Sequence, residues 1–146
     1  MKKIALGGDH AGFAYKNIIA QMLQDQGFEC YDFGSYSDET VDYPDYVHPL
    51  AQAIENQEFD YGVLICGSGN GVTMTANKHQ GIRAALCWRT EIAQLARQHN
   101  DANIICIPAR FVSIEDAKNM VSTFLHTAFE GGRHEKRVKK IACTLL

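Results

Sequence analysis

Short apolar runs alternate with amphipathic stretches along the whole chain. Lys3 to Leu6 reads as a buried strand. Phe13 to Gln26 has helical period, with Ile18, Ile19, Met22 and Leu23 on one side and Gly27 as a stop. Glu29 to Phe33 predicts a second strand, Gly34 to Pro44 a polar loop, and Tyr46 to Gln57 a second helix. Tyr61 to Cys66 predicts the third strand and Asn70 to Lys78 the third helix. Ile82 to Cys87 predicts the fourth strand and Arg89 to Gln98 the fourth helix. Asn103 to Ile107, closed by Pro108, predicts the fifth strand, and Ile114 to Phe129 the fifth helix. Regular strand–helix alternation predicts an α/β fold, a Rossmann-like three-layer sandwich with a five-stranded parallel sheet and helices on both faces.

A length of 146 residues fits one domain over residues 1–146, with a basic helical segment at 130–146 behind the Gly131-Gly132 hinge. With 46% hydrophobic and 21% charged residues the chain has globular composition, so it needs no staple. A net charge of −3 predicts no nucleic-acid or anionic-membrane partner. Five cysteines at irregular spacing make no disulfide framework and point to a reducing, cytoplasmic setting. The apolar run at Ile4 to Leu6 is too short for a signal peptide, and no stretch approaches the roughly 20 apolar residues of a membrane span.

In open parallel sheets, ligands bind beyond the carboxyl ends of the strands. Polar and glycine-rich residues fall there: Asp9 and His10 after the first strand, Gly67 to Gly71 after the third, Arg110 after the fifth. Val63 to Gly71 is the most informative segment, an apolar run into Cys66 and then a glycine at every second position. Such a loop lets backbone approach a ligand, and a following helix N-terminus favours an anion or a thiolate. The bland alternative is a nucleotide loop with an inert cysteine. Spacing excludes three familiar loops: no Lys stands where a P-loop needs one, Val72 occupies the place of a cysteine phosphatase's arginine, and the glycines do not fit G-x-G-x-x-G.

Asp9-His10 reads either as a turn cap or as a sugar-binding pair. His99 lies in Arg97-Gln98-His99-Asn100-Asp101, which is either a basic helix C-terminus or the seat of a general acid–base. Arg133 and Arg137 are four apart, so a helix puts both on one face, exposed to solvent or gripping a phosphate. None of the six histidines sits at ligand spacing with a cysteine or carboxylate, which predicts no metal. Cys30, Cys87, Cys106 and Cys143 have apolar neighbours and are expected in the core.

In order along the chain stand Gly7-Gly8-Asp9-His10-Ala11-Gly12, Asp42-Tyr43-Pro44, Cys66-Gly67-Ser68-Gly69-Asn70-Gly71, Ala76-Asn77-Lys78, Gly81-Ile82-Arg83-Ala84, Arg97-Gln98-His99-Asn100 and Glu130-Gly131-Gly132-Arg133-His134. Together they resemble the type B ribose-5-phosphate isomerases, in the superfamily that includes galactose-6-phosphate isomerase subunits. The resemblance implies interconversion of ribose 5-phosphate and ribulose 5-phosphate through a cis-enediolate, in the pentose phosphate pathway, without metal or cofactor. By position it makes Cys66 the base for the C2 proton, His99 the promoter of ring opening and Ser68 an aid at the substrate oxygens. Asp9 and Asn100 would hold the sugar, and the N–H groups of Gly67, Ser68, Gly69, Asn70 and Gly71 the enediolate. His10, Arg133 and Arg137 would serve the phosphate, with Arg110 as a further contact. It also implies a homodimer, or a dimer of dimers, with the site shared between subunits. The family has a cysteine version and a glutamate version. Cys66, with Val72 in the glutamate's place, matches the first, while Ser68 and Asn70 resemble the second.

A helix N-terminus and nearby cations are expected to lower the Cys66 pKa toward neutrality, where general-base catalysis is efficient. Two other readings remain: an isomerase of a six-carbon sugar phosphate, such as allose 6-phosphate or galactose 6-phosphate, and a non-catalytic nucleotide- or sugar-phosphate-binding module.

Overall fold

The computed structural model describes residues 1–144, so the last two positions of the expected basic segment lie outside the described residues. Five strands form one parallel sheet in the order β2-β1-β3-β5-β4. They are β1 (Lys3–Gly8), β2 (Glu29–Asp32), β3 (Tyr61–Cys66), β4 (Ala84–Leu86) and β5 (Ile104–Pro108). The helices are α1 (Phe13–Asp25), α2 (Pro44–Glu55), α3 (Asn70–Ala76), α4 (Thr90–Asn100), α5 (Ile114–His126) and α6 (Arg133–Lys139), with a 3₁₀ turn at His10–Gly12 after β1.

The period-two alternation of strand side chains divides the core. Ile4, Leu6, Val63, Ile65, Ile105 and Ile107 face α1, α4 and α5, packing on Ile19, Leu23, Ala93, Met120 and Phe124. Ala5, Leu64, Cys66, Ile104 and Cys106 face α2 and α3, against Val47, Leu50, Ile54, Val72 and Ala76. The expected three layers therefore form, and Cys66 points toward the α2–α3 side.

Boundaries shift where turn chemistry decides them. α2 begins at Pro44 rather than Tyr46, because proline's fixed φ and missing N–H suit a first turn. α4 runs on to Asn100, where Asp101 at φ 48° closes it. α5 stops at His126, short of Phe129, and β4 keeps only Ala84–Leu86.

Two buried cations tie loops to this frame. Lys16 is 1% exposed, and its ammonium donates to Asp32 Oδ1 at 2.8 Å and to the Ser35 carbonyl, anchoring the start of the 34–43 loop. Arg97, 4% exposed, donates to Asp101 Oδ1 (2.9 Å), the Ala102 carbonyl and the Thr127 carbonyl (3.1 Å) and lies over the Tyr61 ring. It locks the end of α4 and so fixes where the next residues, His99 and Asn100, emerge.

Two of the cysteine expectations hold and two fail. Cys87 and Cys106 are buried, and burial pushes the Cys87 thiol up to about 12 and the Cys106 thiol higher still. Cys30 is only half-buried on edge strand β2, and Cys143 is exposed. The apolar neighbours of Cys143 mislead because that segment lies on the surface, where Ile141 is itself exposed.

Candidate active site

The chain reverses direction across the sheet between β1 and β3, the place where ligands bind in such folds. A Cβ on Gly8 or Gly12 would lie 2.0 or 2.1 Å from the Ile65 carbonyl oxygen, so only glycine lets the β1 turn rest on the backbone of β3. The turn carries Asp9, whose buried carboxylate accepts from the Ala11 N–H at 3.0 Å and whose own N–H donates to the Ile65 carbonyl at 3.4 Å. Asp9 is thus both a cap and a neighbour of Cys66, where its charge opposes thiolate formation.

Cys66 is nearly covered, at 5% exposure, and its sulfur accepts from the Gly69 N–H at 3.2 Å. Gly69 makes that turn at φ +76°, a conformation glycine adopts without a Cβ clash. Burial pushes the Cys66 thiol up and outweighs the backbone N–H groups of Val72, Gly69 and Ser68, which favour the thiolate. The expected fall toward neutrality is corrected: desolvation of a buried sulfur exceeds the effect of the donors around it. Ser68 is exposed, and its Oγ accepts from the Asn70 N–H at 3.2 Å, leaving the hydroxyl at the rim.

β5 closes the other flank. Ala109 and Arg110 donate their N–H groups to the carbonyls of Cys66 and Gly67 at 2.8 and 3.0 Å. The Arg110 guanidinium lies over Gly67, where a Cβ would meet Nη1 at 3.1 Å. Across the mouth, His10 Nδ1 accepts from the Val41 N–H at 3.4 Å, and a cavity is lined by Asp9, His10, Val41, Asp42, Tyr43 and Pro44. The Tyr43 ring covers Gly71, where a Cβ would fall 2.7 Å from the tyrosine hydroxyl. Residue type alone does not place Tyr43 at the site. The available signal was Asp42-Tyr43-Pro44 together with a glycine at position 71.

The remaining predicted residues gather elsewhere. His99, Asn100, Arg133 and Arg137 line a surface pocket with His134, Val138 and Ile141. Cys66 is level with Pro108 in the β3–β5 register and Gly62 with Ile104, a difference of four residues or about 13 Å of strand. α4 runs back antiparallel to the strands, so Asn100 ends near the start of β5, at the opposite pole of the sheet from Cys66. The chain therefore brings together Asp9, His10, Cys66 to Gly71 and Arg110, and separately His99, Asn100, Arg133 and Arg137. Asp9 and Arg110 give the first group one charge of each sign; the second holds two guanidinium groups.

The second pole contains a group the spacing argument excluded. His99, Glu130 and His134 offer ligand atoms within 4.8 Å of one another. Glu130 reaches His99 because its N–H donates to the Gln98 carbonyl at 3.0 Å, a long-range contact that spacing along the chain does not reveal. Burial and the neighbouring Arg133 push the His134 imidazole below its ordinary pKa. Among the described residues, no helix is long and apolar enough to cross a membrane.

A family model described as Ribose/Galactose Isomerase matches residues 4–141. The ribose-5-phosphate isomerase B of Escherichia coli (strain K12) is 47% identical over 141 residues, covering 97% of this chain and 95% of that one. A ribose 5-phosphate isomerase structure from Thermotoga maritima superposes with a TM-score of 0.95 at 48% identity, covering 98% of this chain and 99% of that one. A ribose-5-phosphate isomerase B from Mycoplasma genitalium with bound ribulose-5-phosphate gives a TM-score of 0.90 at 42% identity, covering 95% and 93%.

Proposed function

This chain belongs to the ribose/galactose isomerase family, and on that premise we propose that it interconverts D-ribose 5-phosphate and D-ribulose 5-phosphate. The observation that carries the reading is the Cys66 thiol, seated among backbone donors at the mouth of β3 with Asp9 on one side and Arg110 on the other.

The open-chain aldose has an acidic hydrogen on C2, beside the C1 carbonyl. Cys66, as thiolate, takes that proton, and the C–H electron pair becomes the C1–C2 double bond of a cis-enediolate. Charge moves to the carbonyl oxygen, where the loop N–H groups of Gly67 to Gly71 stabilise it. A backbone donor aimed at developing charge contributes about 10²–10³ in rate. Cys66 then returns the proton to C1 while the C2 hydroxyl proton passes to the C1 oxygen, which leaves the ketose with its carbonyl at C2. Because burial holds the resting sulfur as a thiol, substrate must meet the fraction of protein that is ionised. Asp9 accepts from the sugar hydroxyls, and Ser68 assists at the reacting oxygens from the rim.

The furanose must first open, and His99 has an imidazole suited to pass a proton to the ring oxygen. His99 and Asn100 lie at the opposite pole from their own Cys66, so they serve the site of a second copy. Arg133 and Arg137 travel with them and, with His10 and Arg110, grip the phosphate. The phosphate is remote from C1 and C2, so its binding energy orients the sugar. Exposed Met74, Trp88, Leu95 and Phe111 supply apolar surface for such an assembly.

The test is a turnover assay of purified protein with ribose 5-phosphate, allose 6-phosphate and galactose 6-phosphate. Turnover of ribose 5-phosphate with the highest kcat/KM is expected. Turnover of a six-carbon sugar phosphate alone would replace the pentose reading.

A further inference from the structure

We propose that His99, Glu130 and His134 form a binding site for a divalent transition-metal ion such as Zn²⁺, and that the ion inhibits the enzyme by occupying His99. The inhibitory half rests on the isomerase reading; the site itself does not.

Glu130 Oε1 stands 3.5 Å from His99 Nε2 and 3.6 Å from His134 Nε2. Both gaps exceed the 2.7–3.2 Å range of an N–H···O hydrogen bond. Three ligand atoms thus converge without closing on one another. Two nitrogen or oxygen ligands about 2.0–2.1 Å from a tetrahedral ion are about 3.4 Å apart, close to the gaps seen. Two imidazoles and one carboxylate, with a fourth position open, suit a borderline transition metal rather than magnesium or calcium.

The three come from different places that the fold locks together. His99 lies in the last turn of α4, which buried Arg97 pins; Glu130 is tied to Gln98 by its backbone N–H; His134 is in the first turn of α6. The two imidazole rings stack, with centroids 4.3 Å apart and planes 15° from parallel. Convergence of both lone pairs on one ion requires the rings to leave their stack by rotation about χ2, and the His99 side chain, 38% exposed, has room for it. Arg133 and Arg137 line the same pocket and oppose a cation, while the Glu130 carboxylate offsets one of their charges. An anion on the open ligand position lies within their reach, which ties the metal to the phosphate-binding surface.

Coordination takes the Nε2 lone pair of His99, so the imidazole no longer accepts or delivers a proton there. The intact protein is titrated with Co²⁺, then Zn²⁺, in phosphate-free buffer, beside Glu130→Gln and His134→Gln. One ion per chain, a visible cobalt spectrum of tetrahedral type, and at least tenfold weaker binding in both variants are expected. Zn²⁺ should depress wild-type turnover, a chelator should restore it, and Glu130→Gln should keep its activity at the same Zn²⁺ concentration. Uptake unchanged in the variants, a thiolate-to-cobalt band, metal binding without inhibition, or equal inhibition of Glu130→Gln would each overturn the proposal. If ribose 5-phosphate is not turned over at all, the isomerase reading and the inhibition claim fail, and the binding data alone decide the site.

Discussion

The Gly69 N–H donates to the Cys66 sulfur across 3.2 Å, yet the thiol remains above its ordinary pKa. Donor and burial oppose each other, and burial prevails.

That balance sets a pH dependence. A raised thiol pKa keeps Cys66 protonated near neutrality, so the thiolate fraction grows as pH rises past the ordinary thiol value of about 8.5. Both kcat/KM and the rate of Cys66 alkylation by iodoacetamide should climb together through that alkaline range. Alkylation that levels off below pH 7 would contradict the burial-dominated thiol. Cys66→Ala should lose about 10³-fold or more in kcat while still binding substrate, within the range that a positioned base contributes.

Arg137→Ala should act on binding rather than chemistry. Loss of one charge-assisted hydrogen bond to phosphate costs about 1.5–3 kcal/mol. KM for ribose 5-phosphate should rise at least tenfold with kcat nearly unchanged, measured by steady-state kinetics. An unchanged KM would remove Arg137 from the phosphate site.

The proposed sharing of the site between two copies of the chain can be tested by complementation. Cys66→Ala and His99→Ala should each be nearly inactive alone. Denatured together in equal amounts and refolded, half the dimers pair one of each, and each such dimer holds one intact site. Activity should recover to about a quarter of wild type for random C2 pairing. No recovery would mean that Cys66 and His99 do not act across subunits.

Gly8→Ala tests the contact that seats Asp9. A Cβ would lie 2.0 Å from the Ile65 carbonyl oxygen, and backbone cannot swing aside as a flexible side chain does. The cost should be about 3 kcal/mol, a fall of about 6–12 °C in Tm by calorimetry. Unchanged Tm and activity would show that the turn relaxes freely.

Cys87 makes the fold sensitive to alkali. Burial raises its pKa to about 12 in the folded chain, whereas an unfolded thiol titrates near 8.5. Between those values the unfolded state has released a proton that the folded state retains, so stability is complete below the lower value and falls as pH rises. Chemical denaturation from pH 8 to 11 should show a shallower decline in Cys87→Ala than in wild type.

Much of the fold was legible because alternating apolar runs such as Val63 to Ile65 and Ile104 to Ile107 have few places to go except a covered parallel sheet. Strand order was not legible: β3, β4 and β5 are all short and apolar, and nothing local states that β5 lies between the other two. The Cys66 loop was legible because its glycines constrain the backbone at fixed spacing. The Cys66 pKa is not legible in the sequence because a helix dipole follows from neighbours along the chain, while burial comes from α2 and α3 packing around Cys66. The place of Glu130 is hidden for a related reason, since its approach to His99 depends on a backbone contact with Gln98.

β5 follows the other four strands in sequence but occupies the sheet between β3 and β4. During synthesis, β3 has an open edge and β4 has no sheet partner until residues 104–108 emerge. An unpaired edge is a template for pairing with other chains. Completion therefore waits on the insertion of β5, through which alone β4 joins the sheet. The loop holding Cys66 receives its last wall, from Ala109 and Arg110, only when that insertion occurs. A nascent chain halted after α4 already contains the thiol, but lacks the hydrogen bonds that hold its loop in place.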